Sequence, residues 1–402
     1  MSPPPHVEPE LVYRTPSDRF DSLPGFPYRA TFSTWGNLRY AYLDVEGPLL
    51  DVKSGSPVDE SHFEAHHKVR TETVLCLHGE PTWSYLYRKM IPGFLNQASP
   101  RPHASEDNRY IRRRVLVPDL IGFGQSDKPV EDDFYTFDMH RDWLLHFVTQ
   151  HIVEDDRTRQ GGRVTLVVQD WGGILGLLLP SLFPSLFTHL IVMNTGLGLG
   201  KMPSKGWINF RDFIKRSPDV DVGALLARGT PLSDREVAAY SAPFQGERTK
   251  AGVRRFPQLV PVHPSMRGVP DSYAALAYFN ALPPAAFTSN TLAKPSAPQG
   301  QGRDSGQSLG SPLSVFFVVG KADPVLGEPV MQALAKRLFG ASTGYYWHVI
   351  PEGGHFVQEW SEHVPGLADR AWSSAPTAGA SIVYDGHKAV WVAPSPSSKS
   401  KL

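Results

Sequence analysis

One short string in this chain has the makings of a reaction centre. Thr165-Leu166-Val167-Val168-Gln169-Asp170-Trp171-Gly172-Gly173 runs an apolar, β-branched segment into a polar residue and then into glycines, with helix-compatible sequence from about Ile174. A strand that bends sharply into a helix lifts the residue at the bend above the sheet, the setting of a nucleophile elbow. The glycines that follow let the helix come close. The residue at the bend is Asp170, not serine. A carboxylate can displace a leaving group from sp3 carbon and remain as an alkyl ester that water then hydrolyses. The residue type therefore points to a carbon–leaving-group bond rather than to an ester or amide. Taken alone, Asp170 is as well explained as a helix N-cap, a position that Asp favours.

Three other segments offer it partners. His355 lies in Pro351-Glu352-Gly353-Gly354-His355-Phe356, a glycine turn after the last strand-like run. That is where the histidine belongs when the chain order is nucleophile, acid, histidine. The chain has 15 histidines, so the position carries the argument and the residue type does not. His348 falls inside the strand run and reads as structural. Asp323, in Val318-Val319-Gly320-Lys321-Ala322-Asp323-Pro324, follows the preceding run and can fix the His355 tautomer and stabilise an imidazolium; it also fits a plain turn before Pro324. His78-Gly79-Glu80-Pro81-Thr82-Trp83 can present the backbone N–H of Glu80 to an oxyanion, beside that of Trp171. Its other reading is an ordinary strand-to-helix turn, and the Glu80 side chain can hold water or orient a neighbour. Gly306-Gln307-Ser308-Leu309-Gly310 matches the G-x-S-x-G pattern, but no strand precedes it and no helix follows, so it is set aside.

These residues need a sheet beneath them. Short apolar runs at 73–77, 115–117, 164–168, 190–193, 315–319 and 345–350, mostly followed by helix-like sequence, read as buried parallel strands of an open α/β sheet. Residues 38–43 alternate and read as an early antiparallel strand. The rhythm breaks between Thr195 and about Pro312, where the chain is mostly helix-compatible. The expected division is a core over 1–195, a helical cap over 196–312 carrying a low-complexity loop at 291–310, more core over 313–373, and a tail over 374–402. Residues 46–69 and 98–112 read as insertions, and two apolar runs in the tail, 381–384 and 389–392, have no assigned role.

Composition narrows the classes. The 402 residues carry 40 Lys+Arg against 40 Asp+Glu, and zero net charge argues against a non-specific nucleic-acid binder. A chain that is 41% hydrophobic and 20% charged suits a sizeable core rather than disorder. The single cysteine, Cys76, excludes a disulfide framework and a cysteine metal cluster and suits a reducing compartment. No apolar run is long enough for a signal peptide or a bilayer span, so the chain reads as soluble, without membrane insertion.

Four separated strings, HGEPTWSYLYRKM at 78–90, PDLIGFGQSDKP at 118–129, VQDWGG at 168–173 and GHFVQ at 354–358, together resemble the haloalkane dehalogenases, in the branch whose acid follows the seventh strand. The resemblance spans roughly residues 23–372. It implies an α/β-hydrolase fold, with a mostly parallel eight-stranded sheet flanked by helices and a helical cap. It implies that Asp170 displaces halide from the substrate carbon and that His355, oriented by Asp323, activates the hydrolytic water. It implies halide binding by the indole N–H of Trp171 and of a cap tryptophan; of nine tryptophans only Trp207 lies between Thr195 and Pro312. Trp207 also reads as a plain core anchor of the cap. AGVRRFPQLV at 251–260 extends the likeness and places Phe256 and Pro257 near the halide pocket. After Met193, Asn194-Thr195-Gly196 offers no carboxylate, in keeping with that branch. The reaction asks for no metal and no organic cofactor; its partners are a small organic substrate, halogenated or of epoxide type, and a halide ion.

Two rival functions share the fold. Epoxide hydrolysis uses the same Asp–His–Asp machinery but needs acidic hydroxyls in the cap, for which Tyr240, Tyr273 and Tyr278 are available. A catalytically silent ligand receptor of the same fold would be expected to lack part of the triad. Finally, Ser400-Lys401-Leu402 reads as an address for the peroxisomal import receptor if the source is eukaryotic, which the insertions and Pro-rich tails favour, and as coincidence in a bacterial, cytoplasmic protein.

Overall fold

The computed structural model describes residues 4–63, 67–96, 98–159, 162–283, 313–374 and 379–395. The 291–310 loop, the Gly306–Gly310 string and Ser400-Lys401-Leu402 lie outside them.

The strand-forming runs assemble as β1 Thr31–Trp35, β2 Leu38–Asp51, β3 Val69–Leu77, β4 Tyr110–Pro118, β5 Val164–Gln169, β6 Phe187–Met193, β7 Ser314–Gly320 and β8 Tyr345–Ile350. They lie in the order β1-β2-β4-β3-β5-β6-β7-β8. From β4 to β8 every pairing is parallel, whereas β1 and β2 are antiparallel to each other and β2 to β4. The parallel strands are the near-continuous apolar runs, as they must be when helices cover both faces. In β5, for example, the consecutive residues Leu166, Val167 and Val168 are all fully buried. This is the α/β-hydrolase arrangement, and the functional loops gather at the carboxyl ends of the parallel strands.

The sheet is larger than eight strands; among the described residues it has 11. A short strand at Ser56–Pro57 joins β2. The two unassigned apolar runs form a hairpin, β9 Ser381–Tyr384 and β10 His387–Val392, whose second strand pairs antiparallel with β8. The second strand alternates in burial as one with a single covered face does: Ala389 and Trp391 point inward, and the Trp391 ring packs 5.1 Å from that of Tyr346. The inserted-looking residues 46–69 are also partly sheet, because β2 runs past a register shift between Glu46 and Leu49 as far as Asp51. Likewise β4 begins at Tyr110, inside the 98–112 stretch.

Between β6 and β7 the described chain is helical: α1 Lys205–Arg216, α2 Val222–Ala227, α3 Asp234–Ser241, α4 Ala251–Leu259 and α5 Val269–Ala281. Their starts are written in the sequence. Ser204 accepts the Trp207 N–H, Asp221 accepts the Ala224 N–H, and Ser233 and Glu236 form a reciprocal capping box. Charged pairs tie this cap to the core: Arg88 to Glu236 (2.6 Å), Arg254 to Asp132 (2.6 Å) and Arg141 to Asp271 (3.4 Å). Among the described residues no helix is long and apolar enough to cross a membrane.

Candidate active site

Asp170 directly follows β5 in a conformation few non-glycine residues adopt, φ 49° and ψ −125°. It stands at the N-cap position of the helix Trp171–Gly176, yet its side chain makes no capping bond. The backbone is held instead from several directions. The Asp170 N–H donates to the Asn194 carbonyl (3.0 Å), and its own carbonyl accepts from the Thr195 hydroxyl (2.6 Å) and the Gly173 N–H (2.9 Å). Glycine is required where these segments meet. A Cβ on Gly79 would lie 2.2 Å from the Asp170 carboxylate, and one on Gly172 would lie 2.2 Å from the Leu77 carbonyl oxygen.

The carboxylate thus freed from capping faces two partners. Its Oδ1 accepts the backbone N–H of Glu80 at 2.8 Å. Its Oδ2 lies 3.4 Å from Nε2 of His355, whose Nδ1 is 2.8 Å from Oδ2 of Asp323. Asp323 is closed to solvent; its Oδ2 also accepts from Asn194 (2.9 Å) and its Oδ1 from the N–H groups of Val325 and Leu326 (2.8 and 3.0 Å). Gln169 donates to the His355 carbonyl at 3.1 Å and so sets the backbone from which the imidazole hangs.

Electrostatics follow from this crowding. Burial alone would raise the Asp323 pKa. The His355 charge and hydrogen bonds from His355, Asn194 and the Leu326 N–H outweigh it, holding the acid well below the usual carboxylate range. Burial alone would lower His355; the Asp323 and Asp170 carboxylates reverse that and push the imidazole well above its ordinary value. Glu80 moves the other way from Asp323: burial first, then the Asp170 charge, pushes it well above the carboxylate range. Its Oε1 is buried with no hydrogen-bond partner among the described residues.

These groups open into one cavity of about 790 Å3, lined chiefly by apolar side chains. Trp171, Trp207 and Pro257 line it together with Glu80, Asp170, Asp323 and His355. Trp207, 9% exposed, reaches in from α1, and Trp171 is 2% exposed. No described residue accepts a hydrogen bond from either indole N–H. Phe256 does not line the cavity. It is fully buried one layer behind, with its ring 4.7 Å from Trp171 and 4.3 Å from His140, so it braces the indole. The three cap tyrosines are also elsewhere. Tyr240 donates to Glu359, Tyr273 is 49% exposed, Tyr278 donates to the Pro184 carbonyl, and the cavity has no tyrosine among its lining residues.

Asn194 and Gln169 are the site residues that sequence reasoning passed over. Gln169 closes β5 and Asn194 directly follows β6, and a polar side chain at the end of a buried apolar run was the available signal.

Comparison with known proteins places the chain in a family. Residues 72–362 match the family model of the α/β-hydrolase fold. A haloalkane dehalogenase of Mycolicibacterium paratuberculosis is 32% identical over 375 residues, covering 90% of this chain and 99% of that protein. One from Psychrobacter cryohalolentis is 31% identical, covering 87% and 93%. Among solved structures, the tetrameric haloalkane dehalogenase of Paraglaciecola agarilytica superposes with a TM-score of 0.64 at 31% identity, covering 88% of this chain and 96% of that one.

Proposed function

Since this chain belongs to the haloalkane dehalogenases of the α/β-hydrolase fold and is a hydrolase acting on carbon–halide bonds, we propose that it works through a covalent ester on Asp170. An oxygen of the Asp170 carboxylate attacks the halogen-bearing carbon from the side opposite the halogen. The carbon–oxygen bond forms as the carbon–halogen bond breaks, and the halide leaves with the bonding pair. A bare anion in an apolar cavity is costly, so it is received by the indole N–H groups of Trp171 and Trp207, donors that cannot lose their proton to Asp170. Water then attacks the ester carbonyl while His355 Nε2 takes its proton. The negative charge on the carbonyl oxygen meets the N–H groups of Glu80 and Trp171. The ester breaks, the alkoxide takes the proton back from His355, and a primary alcohol departs.

The electrostatics support this order. Before alkylation two carboxylates raise the His355 proton affinity. Esterification makes Asp170 neutral and removes one of them, so the imidazole's proton affinity falls and more of it stands deprotonated, free to take a proton, when water must be activated. Asp323 remains charged and holds the imidazolium that follows.

The observation that carries the proposal is a cavity holding a carboxylate–imidazole–carboxylate line and two indole donors, without a tyrosine. Epoxide opening would need a hydroxyl to protonate the epoxide oxygen, and a silent receptor would have no use for the line. The test is to incubate His355→Phe protein with 1-bromobutane. Its mass should rise by one butyl group with one equivalent of bromide released, and Asp170→Ala should show neither. An unmodified mass, or diol from styrene oxide without bromide from bromobutane, would overturn the reading.

A further inference from the structure

Away from the cavity, three histidines that the reaction does not use come together beside the C-terminal hairpin. His348 is on β8, His363 immediately precedes the helix Val364–Trp372, and His387 opens β10. One nitrogen from each lies within 4.8 Å of the other two. We propose that His348, His363 and His387 bind one divalent late transition metal ion, zinc by the nature of the ligands, and that the ion fastens the hairpin to the body of the sheet.

The arrangement is prepared as metal sites are. The Lys388 carbonyl accepts the Nδ1–H of His348 at 2.8 Å, which leaves the Nε2 lone pair of His348 turned toward His363. A backbone carbonyl holding the far nitrogen is the usual support of a metal-bound imidazole. The His363 and His387 rings stack with centroids 3.4 Å apart and planes 7° from parallel, so their nitrogens lie side by side and one ring must tilt to turn both lone pairs onto the ion. His348 is buried, His363 half-buried and His387 exposed. One side of the cluster therefore faces solvent, where a water can complete a tetrahedron. Three imidazoles suit zinc, copper or nickel and not the oxygen-seeking magnesium or calcium.

Metal binding changes two things there. His348 and His363 face each other through Nε2 atoms 2.8 Å apart, with one hydrogen between them. Two nitrogens held tetrahedrally at about 2.1 Å from an ion lie roughly 3.4 Å apart, so this contact opens by about half an ångström. The shared hydrogen is replaced by the ion, and His363 stays neutral by carrying its proton on Nδ1. The segments tied are already in close register, since a Cβ on Gly366 would come within 2.3 Å of the Tyr384 ring. An ion that binds this folded arrangement and not the unfolded chain stabilises it by mass action.

The test uses the full chain without a polyhistidine tag, stripped with EDTA and titrated with zinc chloride by calorimetry, with Tm followed in parallel. We expect one zinc per chain and a Tm raised by zinc and lowered again by EDTA. His387→Ala and His363→Ala should each weaken zinc binding by about tenfold or more while leaving halide release unchanged. Asp170→Ala should bind zinc as the natural chain does, which separates this cluster from the catalytic cavity. Absence of saturable zinc binding in the natural chain, or a His387→Ala protein that binds zinc equally well, would overturn the proposal.

Discussion

Two imidazoles of this molecule, His355 and His363, are withdrawn from water at least in part, and their proton affinities move in opposite directions. At His355 burial works against the charged form, but Asp323 and Asp170 lie alongside and lift the imidazole well above its ordinary value. At His363 burial acts in the same sense, the neighbours are His348 and His387, and the imidazole falls to about 3. The lesson is that the charge of the neighbours, rather than depth, decides which form a buried imidazole keeps. One cluster is built to carry a proton; the other offers lone pairs.

That contrast can be broken at its strongest point by Asp323→Asn. With the buried charge gone, His355 should lose most of its raised affinity and its orientation, and turnover should fall by about 10^4-fold. The butyl ester on Asp170 should then accumulate, visible by mass spectrometry, while the NMR titration of His355 shifts to lower pH. A smaller effect is expected at the halide end, which depends on donors rather than protons. Trp207→Phe should slow halide displacement by about 1–3 kcal/mol, read as single-turnover bromide release, with little change in the His355 titration. The smallest effect sharpens the contrast by pH. His355 has a raised folded-state pKa, so its contribution to stability is complete below an unfolded value near 6.5 and is lost as pH rises through the folded one. His363 has a lowered pKa, so the unfolded chain binds the extra proton, and stability is lost as pH falls from about 6.5 toward 3. His363→Gln should therefore make the fall of Tm between pH 6 and 4 shallower than in the natural chain.

Much of the candidate site was readable because its information is local. Asp170 sits between an apolar strand and two glycines, and His355 and Asp323 each follow a strand-like run, so position could be argued from a few residues apiece. What escaped was set by distant pairing. Asn194 reveals its role only when β6 lies beside β7, where it bonds both Asp323 and the Gly320 backbone. Phe256 and Pro257 are adjacent in the chain, yet one braces an indole and the other lines the cavity, a division made by the turn of α4. The tail was harder still. Residues 381–384 pair only with 387–392, that second strand joins the sheet only by pairing with β8 across an intervening helix, and the three histidines that meet there share no spacing that a sequence pattern would flag.

The tie between cap and core has a consequence for how molecules come and go. Arg88, 2% exposed, holds Glu359 of the core and Glu236 of the cap, and Glu359 also receives the Tyr240 hydroxyl from the cap. Lifting the lid in one piece would strand these groups, and parting a buried ionic pair costs about 3–5 kcal/mol. Met202, which lines the cavity and is 57% exposed, marks a place where the cavity meets solvent without any such parting. A held lid with an opening at that rim would admit molecules by girth, and leaving through the same opening would then bear on the pace of the whole cycle.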